Sequence, residues 1–342
     1  MRPEESQMIQ RMDWRRFEES IKARSRFFSR TAASYLASIF DGIDNLQTRN
    51  GRPLVVDAGP GAPLHTLYRA RAFRSVEKLK DALARPDIHL GPPPAPLAAA
   101  GRMNARGISV FYGASNRKTA IAELRPPVEA QMAVAQFQIV RKLRVLDLTA
   151  MGRVRLTENL TDFGLVGRVD AAVFLRSLIE RISRPLMPDD DPEEYLATQA
   201  IADFLAAGPF ALDGIIFPSR QVVGDVFNAV LFHKAARVEP MDIPEGTKIS
   251  ASTGGWEEEG WVDDFEVLEE ISGPHDEIDE NGQGTERQDV PTCSEAVPFD
   301  PKDVDWRDFT LRFVPESLEV HRVTGNEIAT DRFAVRRDRR GA

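Results

Sequence analysis

The chain has 342 residues, 42% of them hydrophobic and 28% charged, with a formal net charge of −9; this is the balance of an ordinary globular protein of roughly two structural units at about 150 residues per domain. No apolar run approaches the roughly 20 residues of a membrane span, and the polar start MRPEESQMIQRMDWRRFEES lacks the apolar core of a secretory signal, so neither a membrane nor an exported protein is expected. Cys293 is the only cysteine, which excludes an internal disulfide and fits a reducing, cytoplasmic setting; the five histidines (His65, His89, His233, His275, His321) are scattered without the spacing of a zinc or iron site, so no metal is expected.

Residues 8–47 read as helical, with Phe17 and Ile21 on one face and Phe28, Tyr35 and Ile39 on another. The arginines between them (Arg11, Arg15, Arg16, Arg24, Arg26) are read as the solvated side of a docking helix, not as a nucleic-acid patch, because interleaved aromatics on a basic run are missing. Residues 48–66 read as turns, and Gly59-Pro60-Gly61 lacks the Gly-Lys-Ser/Thr that would make a phosphate loop. A short strand at Leu67–Ala70 and a helix over 75–85 follow. Residues 90–96 (LGPPPAP) form a surface loop or lid, since successive prolines remove backbone donors.

Next come a strand from Ile108 to Tyr112, a helix from Asn116 to Leu124 capped by Ser115 or Asn116, and a stop at Pro126-Pro127. Val134–Ile139 alternates as a half-buried strand does, and Arg144–Leu148 is another. Helices are expected over 168–183 and 192–207. The apolar strands Gly214–Phe217 and Asn228–Phe232 are expected to be buried on both faces. From Trp256 to Asp300, sixteen acidic residues face one arginine, Arg287, leaving the rest of the chain mildly basic; this stretch reads as a solvated linker or flexible insert. Residues 308–323 suggest a hairpin around Pro315-Glu316-Ser317, and the basic tail from Arg336 a frayed end.

Polar residues cluster where strands end: Tyr68-Arg69, Gly101-Arg102-Met103-Asn104, Tyr112 through Glu123, and Pro218-Ser219. The stretches YRAR (68–71), GRMNARGISVFYGASNRKTAIAELRPP (101–127), LDL (146–148), YLATQAIADFL (195–205) and DGIIFPS with NAVLF (213–219 and 228–232) resemble, in order and spacing, the RES-domain family. That resemblance implies an α+β fold like the ADP-ribosyltransferases, with short sheets around an NAD cleft. It divides the chain into a helical extension over 1–65, a catalytic domain over 66–240, and an acidic linker with a small β element over 241–342. It also implies an NAD-degrading enzyme, foremost an NAD phosphorylase. Protein ADP-ribosyl transfer or NAD hydrolysis is the alternative, and a non-catalytic interaction module of a toxin–antitoxin system is the alternative from another class. The two extensions depart from the short toxin members.

The residue types suit this chemistry. Breaking the nicotinamide–ribose bond builds positive charge on the sugar, which a carboxylate steadies; the resemblance puts Glu123 there. Guanidinium groups match phosphates, which points to Arg69 and Arg102. Tyr112 can stack on nicotinamide, and Ser219 can hydrogen-bond a phosphate or the amide. Asn104 and Asn228 are weaker NAD-contacting candidates; with Gln199, they are residues of a kind more often used as caps or network residues, and Arg71 is read as structural. Inorganic phosphate is the expected co-substrate, with no cofactor beyond NAD itself. An antitoxin protein is the partner that the toxin members imply, and the N-terminal helix is a candidate homodimer contact. Each residue also has a plain structural reading: Glu123 can pair with Lys118 or Arg125, Tyr112 can be a core aromatic, Arg69 and Arg102 can be ion-pair arginines, and Ser219 a turn residue.

Overall fold

Ser29, Ser75 and Asn116 each open a helix for one reason: a side-chain oxygen accepts a backbone N–H that the first turn leaves unpaired, from Ala32, Lys78 and Thr119 respectively. In the computed structural model, residues 14–22, 29–48, 51–153, 164–184, 192–271 and 305–325 are described. Helix α1 covers residues 14–22. It is followed by α2 (Arg30–Phe40), β1 (Val55–Ala58), β2 (Thr66–Phe73), α3 (Val76–Ala84), α4 (Pro86–His89), β3 (Phe111–Ala114), α5 (Arg117–Leu124), β4 (Gln131–Ile139) and β5 (Leu143–Asp147). Then come α6 (Gly164–Ile182), α7 (Leu196–Ala207), β6 (Gly214–Pro218), β7 (Phe227–Leu231), β8 (Lys248–Ser252), β9 (Gly255–Glu257), β10 (Gly260–Val262), β11 (Glu266–Glu270), β12 (Leu311–Phe313) and β13 (Glu319–Arg322). The chain is thus mixed α and β, in line with the expected α+β class.

Nine strands build one mixed sheet in the order β1-β5-β6-β7-β3-β2-β4-β12, with β13 also on β4. The pair β5–β6 is parallel, and the crossover that parallel strands require runs through α6 and α7. Alternate residues of the central strands feed two cores. Leu146, Ile215 and Val230 join Trp14, Leu36, Phe174 and Ile201 from the helices on one face. Val145, Ile216 and Ala229 join Leu67, Phe137 and Leu79 on the other. Helices α1 and α2 therefore bury their apolar stripes against α6 and α7, in the same core as the strands. Trp14 stacks on Phe174 with ring centroids 5.2 Å apart, and Phe17 meets that ring edge-on at 5.7 Å.

Five expectations are corrected. One nine-stranded sheet stands where short sheets were expected, because β3 pairs with both β7 and β2 and so joins the two halves. The helical stretch 8–47 is broken: α1 and α2 are separate, Ser29 caps the second, and Gly42 takes the left-handed φ of +67° that ends it; residues 8–13 and 23–28, with Arg11, Arg24 and Arg26, lie outside the described residues. The turn-rich 48–66 contains β1, which pairs with β5. The residues flanking Pro315-Glu316-Ser317 are strands, yet each pairs with β4 and not with the other. The start of the acidic stretch holds β9, β10 and β11, the first two pairing together and the third with β8; residues 272–304 and the tail from Arg336 lie outside the described residues. Both β6 and β7 are buried on both faces, as expected. Among the described residues no helix is long and apolar enough to cross a membrane.

Candidate active site

Sheet register gathers four strands at one place. Tyr68 on β2 lies opposite Ala114 on β3, Ala114 opposite Asn228 on β7, and Asn228 opposite Phe217 on β6. Just beyond β3, Ser115 locks the corner: its backbone N–H donates to Phe227 O at 2.9 Å, and its Oγ accepts from Phe227 N at 3.1 Å. Asn116 then starts α5, and two turns later the helix presents Glu123 over the start of β7. Arg125 ends α5 with a left-handed φ of 47°.

Glu123 is exposed at the surface, yet its orientation is set. Ser219 Oγ and Asn228 Nδ2 each donate to Glu123 Oε1 at 2.7 Å. Ser219 sits just past β6 and Asn228 near the start of β7, so two strand ends and one helix converge on this carboxylate. The bond from Asn228 Nδ2 also fixes that side-chain amide, because the reverse orientation would set two acceptors against each other. Asn228 is 8% exposed, and its Oδ1 is buried with no partner among the described residues.

A cleft of about 700 Å³ opens beside Glu123. Arg69, Arg102, Asn104, Tyr112, Glu123 and Asn228 all line it; Ser219 reaches it through Glu123. Among the described residues its charged lining is five arginines (Arg69, Arg71, Arg102, Arg125, Arg184) against one acid, Glu123. In a chain of net charge −9, a concave surface with that excess focuses a positive potential and attracts anions.

The Gly101–Asn104 loop is a scaffold for that wall. Tyr112 Oη donates to Asn104 Oδ1 at 3.0 Å and accepts from Met103 N at 3.2 Å. Asn104 Nδ2 lies within hydrogen-bond distance of the carbonyls of Ala99, Ala105 and Ile108. Gln199 Nε2 on α7 donates to Gly101 O at 2.8 Å and Asn104 O at 3.0 Å, and Thr198 Oγ1 donates to Arg102 O. Through these bonds Asn104 and Gln199 hold the loop. Glycine is required at 101, because a Cβ there would stand 2.6 Å from Asn104 Oδ1 and 2.8 Å from Tyr112 Oη.

Arg102 is buried; its Nη1 donates to Arg181 O at 3.0 Å and its guanidinium lies 5.0 Å from the Tyr195 ring centroid. Arg69 sits 5.1 Å from the Phe111 ring. Burial, reinforced by the neighbouring Arg71 charge, pulls its pKa down to about 10, so it remains a cation at neutral pH. Tyr112 keeps 37% of its surface exposed, but its hydroxyl is enclosed by the Gly101–Asn104 loop. Burial pushes that hydroxyl up to about 12, against the opposing pull of the Met103 N–H and of Arg69 and Arg102. It is a neutral hydrogen-bonding group across the physiological range. Arg71 donates to His89 O at 2.7 Å, in keeping with a structural part, although it also borders the cleft.

Sequence reasoning passed over Arg125, Ser183 and Arg184, which line the same cleft. Ser183 and Arg184 arrive from the end of α6, and no local pattern links that helix to residues 101–123. Asp147, within the LDL stretch, is fully buried and away from the cleft; it pairs with Arg52 and accepts from Thr149 N at 2.9 Å. Among the described residues no group of three His, Cys, Asp or Glu is placed to hold a metal ion.

The model of the RES domain matches residues 66–250, and the chain belongs to the RES-domain family. Membership is compatible with NAD chemistry and with a toxin-associated role. No curated protein and no solved structure matches the chain.

Proposed function

We propose that the chain is an NAD-consuming enzyme that breaks the nicotinamide–ribose bond, with inorganic phosphate as the acceptor. One observation carries the reading: a carboxylate pinned by two donors borders a cleft whose other charges, among the described residues, are guanidinium groups. NAD has the matching charges, two phosphates and a cationic leaving group.

In the reaction the C1″–N bond breaks and its electron pair goes to the nicotinamide ring nitrogen, neutralising that ring. Positive charge builds on the ribose, and an oxygen of inorganic phosphate bonds to C1″, giving ADP-ribose-1″-phosphate; the phosphate gives up a proton to solvent. Glu123 Oε1 is occupied by Ser219 and Asn228, which leaves Oε2 to face the sugar and steady its charge. Arg69 and Arg102 bind phosphate oxygens, and Tyr112 supports the nicotinamide end. Asn228 Oδ1, buried without a partner among the described residues, accepts from a donor on the substrate. A toxin role rests on the family resemblance alone; an antitoxin partner would then have to cover the mouth of the cleft.

The test is to incubate the purified protein with NAD, with and without inorganic phosphate, and weigh the products. Phosphate-dependent nicotinamide release with a product of the mass of ADP-ribose phosphate is expected. Glu123→Gln should lower the rate by at least about a hundredfold, as removal of a preorganised charge-stabilising group typically does. Release that ignores phosphate would defeat the phosphorolytic step and leave hydrolysis or transfer to protein; no release at all would end the enzymatic reading.

A further inference from the structure

Two residues that close α6 have no part in the reaction as drawn. Ser183 is 8% exposed, lines the cleft, and its Oγ has no hydrogen-bond partner among the described residues. A buried hydroxyl left unpaired is costly, so such a side chain on a cleft wall points to a ligand that partners it. Arg184, the next residue, is exposed on the same wall and has no ion pair among the described residues. Arg102 is tied to this turn through its bond to Arg181 O. The Arg181 guanidinium is engaged elsewhere, 4.4 Å from the Trp14 ring and 3.5 Å from Glu18. The end of α6 thus offers the cleft one hydroxyl and one guanidinium group beside Arg102 of the Gly101–Asn104 loop, with no carboxylate among the described lining on that side.

We propose that the end of α6 is a phosphoryl subsite, in which the Ser183 hydroxyl and the Arg184 guanidinium join Arg102 around the oxygens of one phosphoryl group. A tetrahedral phosphate presents three oxygens to three such donors, and guanidinium binds them in pairs; a monoanionic carboxylate would use fewer. The proposal deepens the phosphorolytic reading and rests on it for the identity of the ligand. That phosphoryl group belongs either to the pyrophosphate of the dinucleotide or to free orthophosphate.

Titration calorimetry with two probes, ADP and inorganic orthophosphate, separates these. Wild type, Ser183→Ala, Arg184→Gln, Arg184→Lys and the Ser183→Ala/Arg184→Gln double variant are compared, with melting temperature as the check on folding. Arg184→Gln should weaken one probe about tenfold, the scale of one charge-assisted hydrogen bond, and Arg184→Lys should recover part of it. A loss confined to ADP assigns the subsite to the pyrophosphate, and a loss confined to orthophosphate assigns it to the attacking phosphate. Unchanged binding of both probes by a double variant that melts like wild type overturns the subsite, as does a wild type that binds neither. If the double variant does not fold, Arg184→Gln at its exposed position decides alone. Nicotinamide release by the same proteins is a separate readout: wild type that binds the probes but releases no nicotinamide keeps the subsite and loses the reaction, whereas active variants with unaltered binding keep the reaction and lose the subsite.

Discussion

Glu123 sits where helix stability alone would place a cation. It lies in the last turn of α5, against the negative end of the helix dipole, and its carboxylate is held there by Ser219 and Asn228. A residue that breaks a local preference and is then fixed by neighbours marks a functional position. Ser219→Ala and Asn228→Ala each remove one of those bonds, so kcat should fall by about tenfold while KM for NAD moves less; a wild-type kcat in both variants would argue against orientation by these donors. Tyr112 and Arg69 bear on pH. Burial raises the tyrosine to about 12 and lowers the arginine to about 10, so both stay protonated from pH 6 to 9. Tyr112→Phe should therefore weaken activity and cost about 1 kcal/mol of stability through its lost hydrogen bonds, yet leave the shape of the pH–rate profile in that window unaltered. For Arg69 the sign is the reverse of the usual cation: its folded pKa is depressed, so the burial penalty is complete below pH 10 and relieved above it, as the folded state sheds its proton first.

Two elements set the walls of the cleft. The Gly101–Asn104 loop is held from behind by Gln199 and from the front by Tyr112. Gly101→Ala would force a Cβ against Asn104 and Tyr112 and displace Arg102, so activity should drop by at least about tenfold, given how steeply rates respond to misplacement, and the melting temperature should fall with it; a wild-type rate would show that the loop does not position the site. Helix α6 is braced by α1 through Trp14, Phe17 and Phe174. Trp14→Ala should cost about 3–5 kcal/mol, the range for truncating a buried aromatic, read as a fall in melting temperature. At this scale much was legible. The helices over 76–84 and 117–124, the Asn116 cap, and the buried strands β6 and β7 follow from short-range periodicity and capping. The strand β1 and the ribbons β8–β11 and β9–β10 were hidden in turn-rich or acidic composition, because pairing with a distant strand, not local preference, makes them strands.

At the scale of the whole molecule, β4 is the hinge of the architecture. On one side it pairs with β2; on the other it takes β12 and β13, which come from more than 170 residues later. Leu311 and Phe313 of β12 are buried, Phe313 against Phe137 at 6.2 Å. Truncation after residue 271 would bare that edge and a strip of core, an open template for intermolecular pairing; aggregation by size-exclusion chromatography is expected, and a monodisperse truncated chain would refute it. Sequence by itself determined the periods of the helices and strands, the caps, the cluster of Arg, Tyr, Glu and Ser at strand ends, and the RES-domain resemblance, since each is written in residues close together or in a fixed order. Tertiary structure alone decided that the strands join one nine-stranded sheet, that α1 and α2 share its core, and that Ser183 and Arg184 reach the cleft. A local pattern states which face of an element is apolar; many partners satisfy that requirement, and only the packing of the complete chain selects among them.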